Sequence, residues 1–359
     1  MTASPGRDGN ELREGLGRSL EQWGEPGAAE LSELLREMLG EGVTQPTLRL
    51  ERLKNEVYRL GVDGEAGRTL VLKLLKPAVA QTDRLVAERW LPALGLGDRC
   101  PRLLGAAAER EGRCVWHVYE DLGKRSLGLE PDPAYLGAAI DLVAELHGRA
   151  AVHPLLPEVR WRARDLGASF FTSNLQDAMA ALEALATLHE GVPVEFPASR
   201  ARLLQRLQAV LEDAPRRLGV MKEVGGPDTL LHGDLWPRNV FVTADGQGPR
   251  ARLIDWDHVG AGPFSYDLST FLYRSSPEAR PWILQRYREA SERWGRRLPG
   301  NEELNLLFHT AEFARCTHCI LFDAMIVLDE RAEWAVQELM DYERWLETLR
   351  PPLPDGSPA

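Results

Sequence analysis

The stretch LLHGDLWPRNVFVTADGQGPRARLIDWDHVGAGPFSYDLS gathers side chains whose types and spacing could do chemistry. It carries His232-Gly233-Asp234, then Asn239 five residues beyond the aspartate, then Asp255 sixteen residues later at the end of an apolar run. Phosphoryl transfer to a hydroxyl needs one carboxylate to orient that hydroxyl and accept its proton, and oxygen ligands to hold Mg²⁺ against the phosphates. Magnesium takes a few carboxylate or amide oxygens and completes its octahedron with phosphates and water. A loop supplying Asp234 and Asn239, joined through a short hairpin to a strand supplying Asp255, would bring the three groups to one edge. Singly, each is an ordinary loop or turn residue. The combination of H-G-D-x-x-x-x-N with an I-D-W-D strand end is far more specific than its parts.

The elements that must position these groups fall into two textures. Apolar spacing from Ala28 to Leu39 reads as a short amphipathic helix. PTLRLERL, EVYRLGV and TLVLKLL then show short alternating or continuous apolar runs with turns such as VDGEAG between them, an antiparallel meander. Thr82 to Leu94 has helical spacing, and RLLGAAAE and CVWHVYE resume strand character. After Gly123 the pattern is mainly helical, with 3.6-period stripes over Tyr135 to Ala150, Leu175 to His189 and Arg200 to Leu218. NVFVT and ARLIDW interrupt it as two strands around the turn ADGQG, and helices return to Leu349. The expected organisation is a tail and helix over 1–44, a strand-rich lobe over 45–119, a junction and helical lobe over 120–350, and a disordered tail over 351–359.

Composition narrows the function classes. The chain has 359 residues, 43 Lys plus Arg against 54 Asp plus Glu, and a formal charge of -11. Nucleic-acid binding needs cationic surface to neutralise phosphates, so that class is not expected. No run approaches the roughly 20 apolar residues that span a bilayer. The N-terminus lacks the apolar core of a secretion signal. Four cysteines make no disulfide framework, which leaves reducing cytoplasm as the expected compartment.

The segment around Asp234 resembles the catalytic core of the aminoglycoside phosphotransferase and choline kinase family, small-molecule relatives of the protein kinases. The resemblance extends over about 45 to 350 and is sharply specific at 230–275. It implies an α+β, protein-kinase-like two-lobed fold with a small antiparallel-sheet N-lobe and a larger, mainly helical C-lobe. It also implies ATP and Mg²⁺ as cofactors, Asp234 as catalytic base, Asn239 and Asp255 as metal ligands, and His232 shaping the catalytic loop. Asp267 in YDLS matches an acidic residue that braces the loop, a role compatible with a carboxylate favoured by a helix N-terminus. Lys73 sits mid-strand among apolar residues, where a lysine needs a partner. A kinase uses such a lysine on the ATP α- and β-phosphates, paired with a Glu of the next helix, for which Glu88 is the candidate. Lys76 is a weaker competitor for the phosphate role.

HVYEDLG resembles the junction between lobes, where backbone groups of Glu120 and Leu122 would bond the adenine edge. A plain strand exit explains the same residues. No glycine lies between the first two strands, so a turn at Lys54-Asn55-Glu56 stands where protein kinases have a Gly-rich loop. With no A-P-E signature after Asp255 either, a protein kinase is the weaker alternative. A catalytically silent nucleotide-binding scaffold is another. Arg238 could reach the transferring phosphoryl group or be ordinary surface arginine, and Trp236 is expected to pack the loop.

The acceptor implied is a small-molecule hydroxyl compound (an aminoglycoside, other antibiotic, amino sugar or amino alcohol). The acidic charge favours a cationic one, with Asp323, Asp329, Glu330 and Glu333 as candidate contacts. Cys316 and Cys319, with His318 and His309 nearby, lie on a helical pattern and lack the second ligand pair of a structural zinc site, so core packing is expected. His147 ends a helical stripe and reads as a helix-capping imidazole. Trp161, Phe170, Phe171, Trp282, Trp334 and Trp345 are expected mostly in the core. The oligomeric state is not legible.

Overall fold

The structure, a computed structural model, describes residues 25–39, 48–62, 68–128, 131–188, 192–245 and 248–354. The expected N-terminal tail up to residue 24 and the last five residues lie outside these, as do residues 63–67 of the VDGEAG turn. The chain forms two compact units, one from Met1–Ser126 with Phe241–Asp257, the other from Leu127–Val240 with His258–Ala359. A single cut near residue 120 therefore does not describe the division, because the hairpin holding Asp255 belongs with the strand-rich unit.

That first unit is built on a five-stranded antiparallel sheet, ordered β1 (Leu48–Lys54), β2 (Val57–Val62), β3 (Arg68–Leu75), β5 (Val115–Glu120) and β4 (Leu103–Ala108). Alternation along each strand sorts its side chains to two faces. Leu70, Leu72 and Leu74 of β3 join Tyr58, Leu60, Trp116 and Val118 on one face, where helix α1 (Ala28–Leu39) adds Leu31 and Leu35. Burying each large apolar side chain contributes about 1.5–3 kcal/mol, so this face fixes the register. The same alternation turns Val71 and Lys73 to the opposite face.

A helical segment follows β3: α2 (Pro77–Leu85) runs through a π-helical turn at Val86–Trp90 into a short end at Leu91–Ala93. Proline at its first helical position suits the start, since the missing N–H has no intrahelical partner there. Strands β8 (Val240–Asp245) and β9 (Gly248–Leu253) pair with each other and make the hairpin before Asp255. Leu253 N–H donates to Arg99 O at 2.8 Å, and Arg252 meets the Glu120 carboxylate at 2.8 Å, which ties the hairpin into this unit.

The second unit is helical around a small sheet of β6 (Arg164–Asp165), β10 (Gly260–Gly262) and β7 (Thr229–Leu231). Its helices are α3 (Pro133–Ala151), α4 (Leu156–Arg162), α5 (Ala168–Ala184), α6 (Phe196–Glu212), α7 (Ala214–Val224), α8 (Ser265–Tyr273), α9 (Arg280–Glu292), α10 (Asn301–Glu330) and α11 (Glu333–Thr348). The apolar stripe over Arg200 to Leu218 is not one helix. Pro215 lacks the N–H an interior position needs, and the chain breaks at Asp213 and restarts with that proline in the first turn of α7. At the other end Leu353 is buried and exchanges two hydrogen bonds with Asn305 (3.2 and 3.1 Å), so residues 351–354 are fixed rather than a loose tail. Among the described residues no helix is long and apolar enough to cross a membrane.

Candidate active site

The outward face of the first unit's sheet opens on a pocket. Val57 and Arg59 of β2, Val71 and Lys73 of β3, and Asp83, Val86 and Ala87 of the helical segment line it. Glu120, Leu122 and Gly123 stand at its strand exit, with Ile254, Asp255 and Trp256 along the hairpin side. The lining is mostly apolar, as small-molecule sites usually are, with a few charged groups among it.

The charges gather at one end. Lys73 Nζ lies 2.5 Å from Asp255 Oδ1 and 2.6 Å from Asp257 Oδ1, and Lys54 Nζ lies 2.6 Å from Asp255 Oδ2. Burial works against the Lys73 charge, yet the Asp255 and Asp257 carboxylates hold its pKa above the usual lysine range. Burial likewise opposes the Asp255 charge, but Lys73 and Lys54 outweigh it and hold that carboxyl far below the ordinary value. Asp257 is pushed up by burial and by its charged neighbour Asp255. Asp255 has φ 67°, in the left-handed region. A non-glycine residue there costs on the order of 1 kcal/mol, and such residues cluster where a side chain must be aimed.

In the second unit, Asp234, His232 and Asn239 follow β7 as one braced loop. The Asp267 carboxylate, fully buried at the start of α8, accepts the backbone N–H of His232 at 2.7 Å and of Gly233 at 2.8 Å. Asn239 Nδ2 donates to Asp234 O at 2.8 Å and reaches Asp234 Oδ2 at 3.3 Å. Asp234 N–H in turn donates to His232 Nδ1 at 3.3 Å. Gly233 has φ 83°, and a Cβ there would lie 1.8 Å from His258 O, so only glycine lets the loop pass that carbonyl. Gly233→Ala is expected to destabilise the protein by more than about 2 kcal/mol through strain and clash. A thermal melt within a degree or two of the native protein's would refute this account of the loop.

Outside comparisons bear on this geometry. The phosphotransferase enzyme family model matches residues 48–302, most of the chain and both units. The chain belongs to the phosphotransferase enzyme family. No curated protein sequence matches it. Among solved structures, the GDP complex of aminoglycoside 2'-phosphotransferase-IIIa is similar with a TM-score of 0.58 at 16% identity, covering 89% of this chain and 98% of that one. Spectinomycin phosphotransferase APH(9)-Ia, in complex with ADP and spectinomycin, aligns with a TM-score of 0.56 at 14% identity, covering 89% and 95%. An ethanolamine kinase of Plasmodium vivax aligns with a TM-score of 0.55 at 13% identity, covering 84% and 82%. At these identities the likeness is one of fold: α+β and kinase-like, with an antiparallel-sheet unit and a larger helical unit.

For this phosphotransferase, several residues sit differently from what its sequence suggested. Glu88 does not pair with Lys73. Asp83, Val86 and Ala87 share the pocket face of the helical segment, and Glu88 lies off that face, half-exposed and 2.7 Å from Arg84 one turn earlier. The carboxylate the segment turns inward is Asp83, held by His117 Nδ1 at 3.0 Å and by the Tyr119 hydroxyl. Asp257, two residues beyond Asp255 in I-D-W-D, is a further partner of Lys73 that the motif alone does not single out.

His147 is not a helix cap. It is fully buried within α3, and burial lowers its pKa against the pull of Asp267, leaving the ring neutral at pH 7. A neutral ring has one donor and one acceptor, so Nε2–H donates to Asp267 Oδ2 (3.3 Å) and Nδ1 accepts from the Tyr287 hydroxyl (2.8 Å).

The remaining expectations divide. Glu120 places its carboxylate on Arg252 and Arg102, and its backbone N–H donates to Arg102 O at 3.1 Å, while Leu122 lines the pocket. Exposed Arg238 and buried-side Arg274 lie over the Trp236 ring, their guanidinium carbons 4.2 and 4.6 Å from its centroid. Exposed Lys76 stands just before α2, at its N-cap position, with no side-chain capping bond. Cys316 is buried and unoxidised on α10, as is half-buried Cys319. Trp161, Trp282 and Trp334 are exposed rather than core, and Phe171 is buried. Asp323 is buried, its carboxyl pushed up to about 6 by burial and by Glu338, whereas Asp329, Glu330 and Glu333 are exposed. These four therefore do not make one acidic surface. Among the described residues no group of three or more His, Cys, Asp or Glu side chains could hold a metal.

Proposed function

We propose that the protein moves the γ-phosphoryl group of ATP to a hydroxyl of a small molecule, with the nucleotide in the first unit's pocket. The observation that carries this reading is the Lys73–Asp255 ion pair in the wall of a mostly apolar cleft. Apolar walls suit a base, and backbone groups at Glu120 and Leu122 suit its hydrogen-bonding edge. Lys73, kept charged by its carboxylates, suits the phosphates.

The donor chemistry suits magnesium: in the first unit Asp255 and Asp257 offer hard carboxylate oxygens, and in the second Asn239 uses its amide N–H₂ on Asp234, which leaves its Oδ1 able to accept. When bound, magnesium supplies charge neutralisation on the phosphates. Asp234 accepts the proton of the acceptor hydroxyl as the new oxygen–phosphorus bond forms, and the bond to the β-phosphate oxygen breaks to release ADP. Asp267, through the two amides it holds, keeps Asp234 in place. Arg238 is the exposed cation nearest Asn239 in sequence and would meet a phosphate or acceptor oxygen.

For the acceptor we favour a cationic amino alcohol or amino sugar. The formal charge of -11 supports it, and similar folds include a kanamycin complex, a spectinomycin complex and an ethanolamine kinase. ADP release measured with and without a panel of amino alcohols, aminoglycosides and neutral sugars tests both parts. Acceptor-dependent release, faster with amines, is expected. No release with any acceptor would favour a silent nucleotide-binding scaffold, and release indifferent to every acceptor would mark transfer to water rather than to an organic hydroxyl; faster release with neutral sugars would remove the cationic preference.

A further inference from the structure

The β1–β2 turn has no glycine and no loop of spare amides to cradle phosphates, yet it delivers a cation to the pocket. Strand β1 ends at Lys54, and the turn Asn55-Glu56 is fastened by Arg52, whose Nη2 donates to Asn55 Oδ1 at 3.1 Å. Glu56 has φ 61°, taking the left-handed conformation a glycine would otherwise supply, and its carbonyl accepts Leu74 N–H at 2.8 Å. The turn is thus tied to β3 beside Lys73, and Lys54 pairs in register with Val57, which pairs with Lys73.

Two ammonium groups consequently cap both oxygens of one carboxylate: Lys73 on Asp255 Oδ1 and Lys54 on Oδ2. They differ in freedom. The Lys73 side chain is 12% exposed and shared with Asp257, whereas the Lys54 side chain is 59% exposed. An exposed lysine loses little by changing partner, since a half-solvated ion pair contributes little net stability.

We propose that Lys54 is an exchangeable cation: it guards Asp255 in the empty pocket and moves to the nucleotide's phosphate oxygens when a metal ion takes its place. This rests on the nucleotide reading of the pocket. A metal alone must displace Lys54 with no phosphate to receive it. A nucleotide alone must draw Lys54 off Asp255 and leave that carboxylate poorly neutralised. Only the two together satisfy every charge, so Lys54 couples metal and nucleotide binding, and the coupling is reciprocal.

The test uses the full chain and measures binding, with Mn²⁺ as metal probe by electron paramagnetic resonance and ATP by calorimetry in chelator. Lys54→Met is expected to tighten Mn²⁺ binding without nucleotide severalfold and to weaken metal-free ATP binding about tenfold, the scale of one lost charge-assisted contact. Lys54→Arg keeps the charge and is expected to stay within about twofold of native for ATP. Exposed Lys222, remote in sequence and in the other unit, gives the control: Lys222→Met leaves both affinities unchanged. If Lys54→Met leaves either affinity unchanged while the native chain binds ATP, the exchange is overturned and the nucleotide reading stands. If the native chain binds neither ATP nor GTP, the pocket reading itself is overturned, and Lys54's role with it.

Discussion

Asp234→Ala is expected to lose about 10²–10⁴ in turnover, the usual contribution of a positioned general base, while binding ATP as the native protein does. The substitution removes the carboxylate that takes the acceptor proton. It leaves the loop in place, because the brace runs through backbone: Asp267 holds the amides of His232 and Gly233, and Asn239 Nδ2 holds Asp234 O. A matching loss of ATP affinity would show that Asp234 supports the nucleotide pocket instead. Unreduced turnover, measured as ADP release with a competent acceptor, would remove it from the reaction.

The second large effect is expected at Asp255. Asp255→Asn keeps a side chain tolerant of the left-handed backbone, so the φ of 67° need not change. It removes the charge that both Lys54 and Lys73 meet. Magnesium-dependent ATP affinity should fall about a hundredfold, or about 2.7 kcal/mol. ATP binding without metal should change far less, because the freed lysines remain for the phosphates. Calorimetry with and without Mg²⁺ separates the two, and equal losses in both conditions would contradict a metal role.

What could be read from the amino-acid sequence was what local pattern encodes. Alternation in TLVLKLL places Lys73 on the face opposite Leu72 and Leu74, and that face proved to be the pocket. The HGD and IDWD runs drew attention to Asp234, Asn239 and Asp255 because their types and spacing are rarely combined. Partners fixed by tertiary packing were not legible. Asp83 and Glu88 lie on one helical segment, and only the packed structure shows that the inward face is the one with Val86 and Ala87. His147 and Asp267 are separated by 120 residues, and nothing local announces that they meet. The hairpin at 241–257 joins a unit whose other residues end at Ser126, a long-range pairing that a cut in sequence order cannot represent. Pro215 is a readable breaker inside the apolar stripe over Arg200 to Leu218, and the structure divides the stripe there.

The central claim is that a phosphoryl group leaves ATP for an organic hydroxyl. The most direct measurement is ³¹P nuclear magnetic resonance of the native protein with ATP, Mg²⁺ and the best amine acceptor of the panel. The account predicts a new phosphomonoester signal that grows in equal measure with ADP as the γ-phosphate signal declines, and that grows at least about a hundredfold more slowly with Asp234→Ala. A growing inorganic phosphate signal in its place, or an ATP spectrum that never changes with any acceptor, would contradict it.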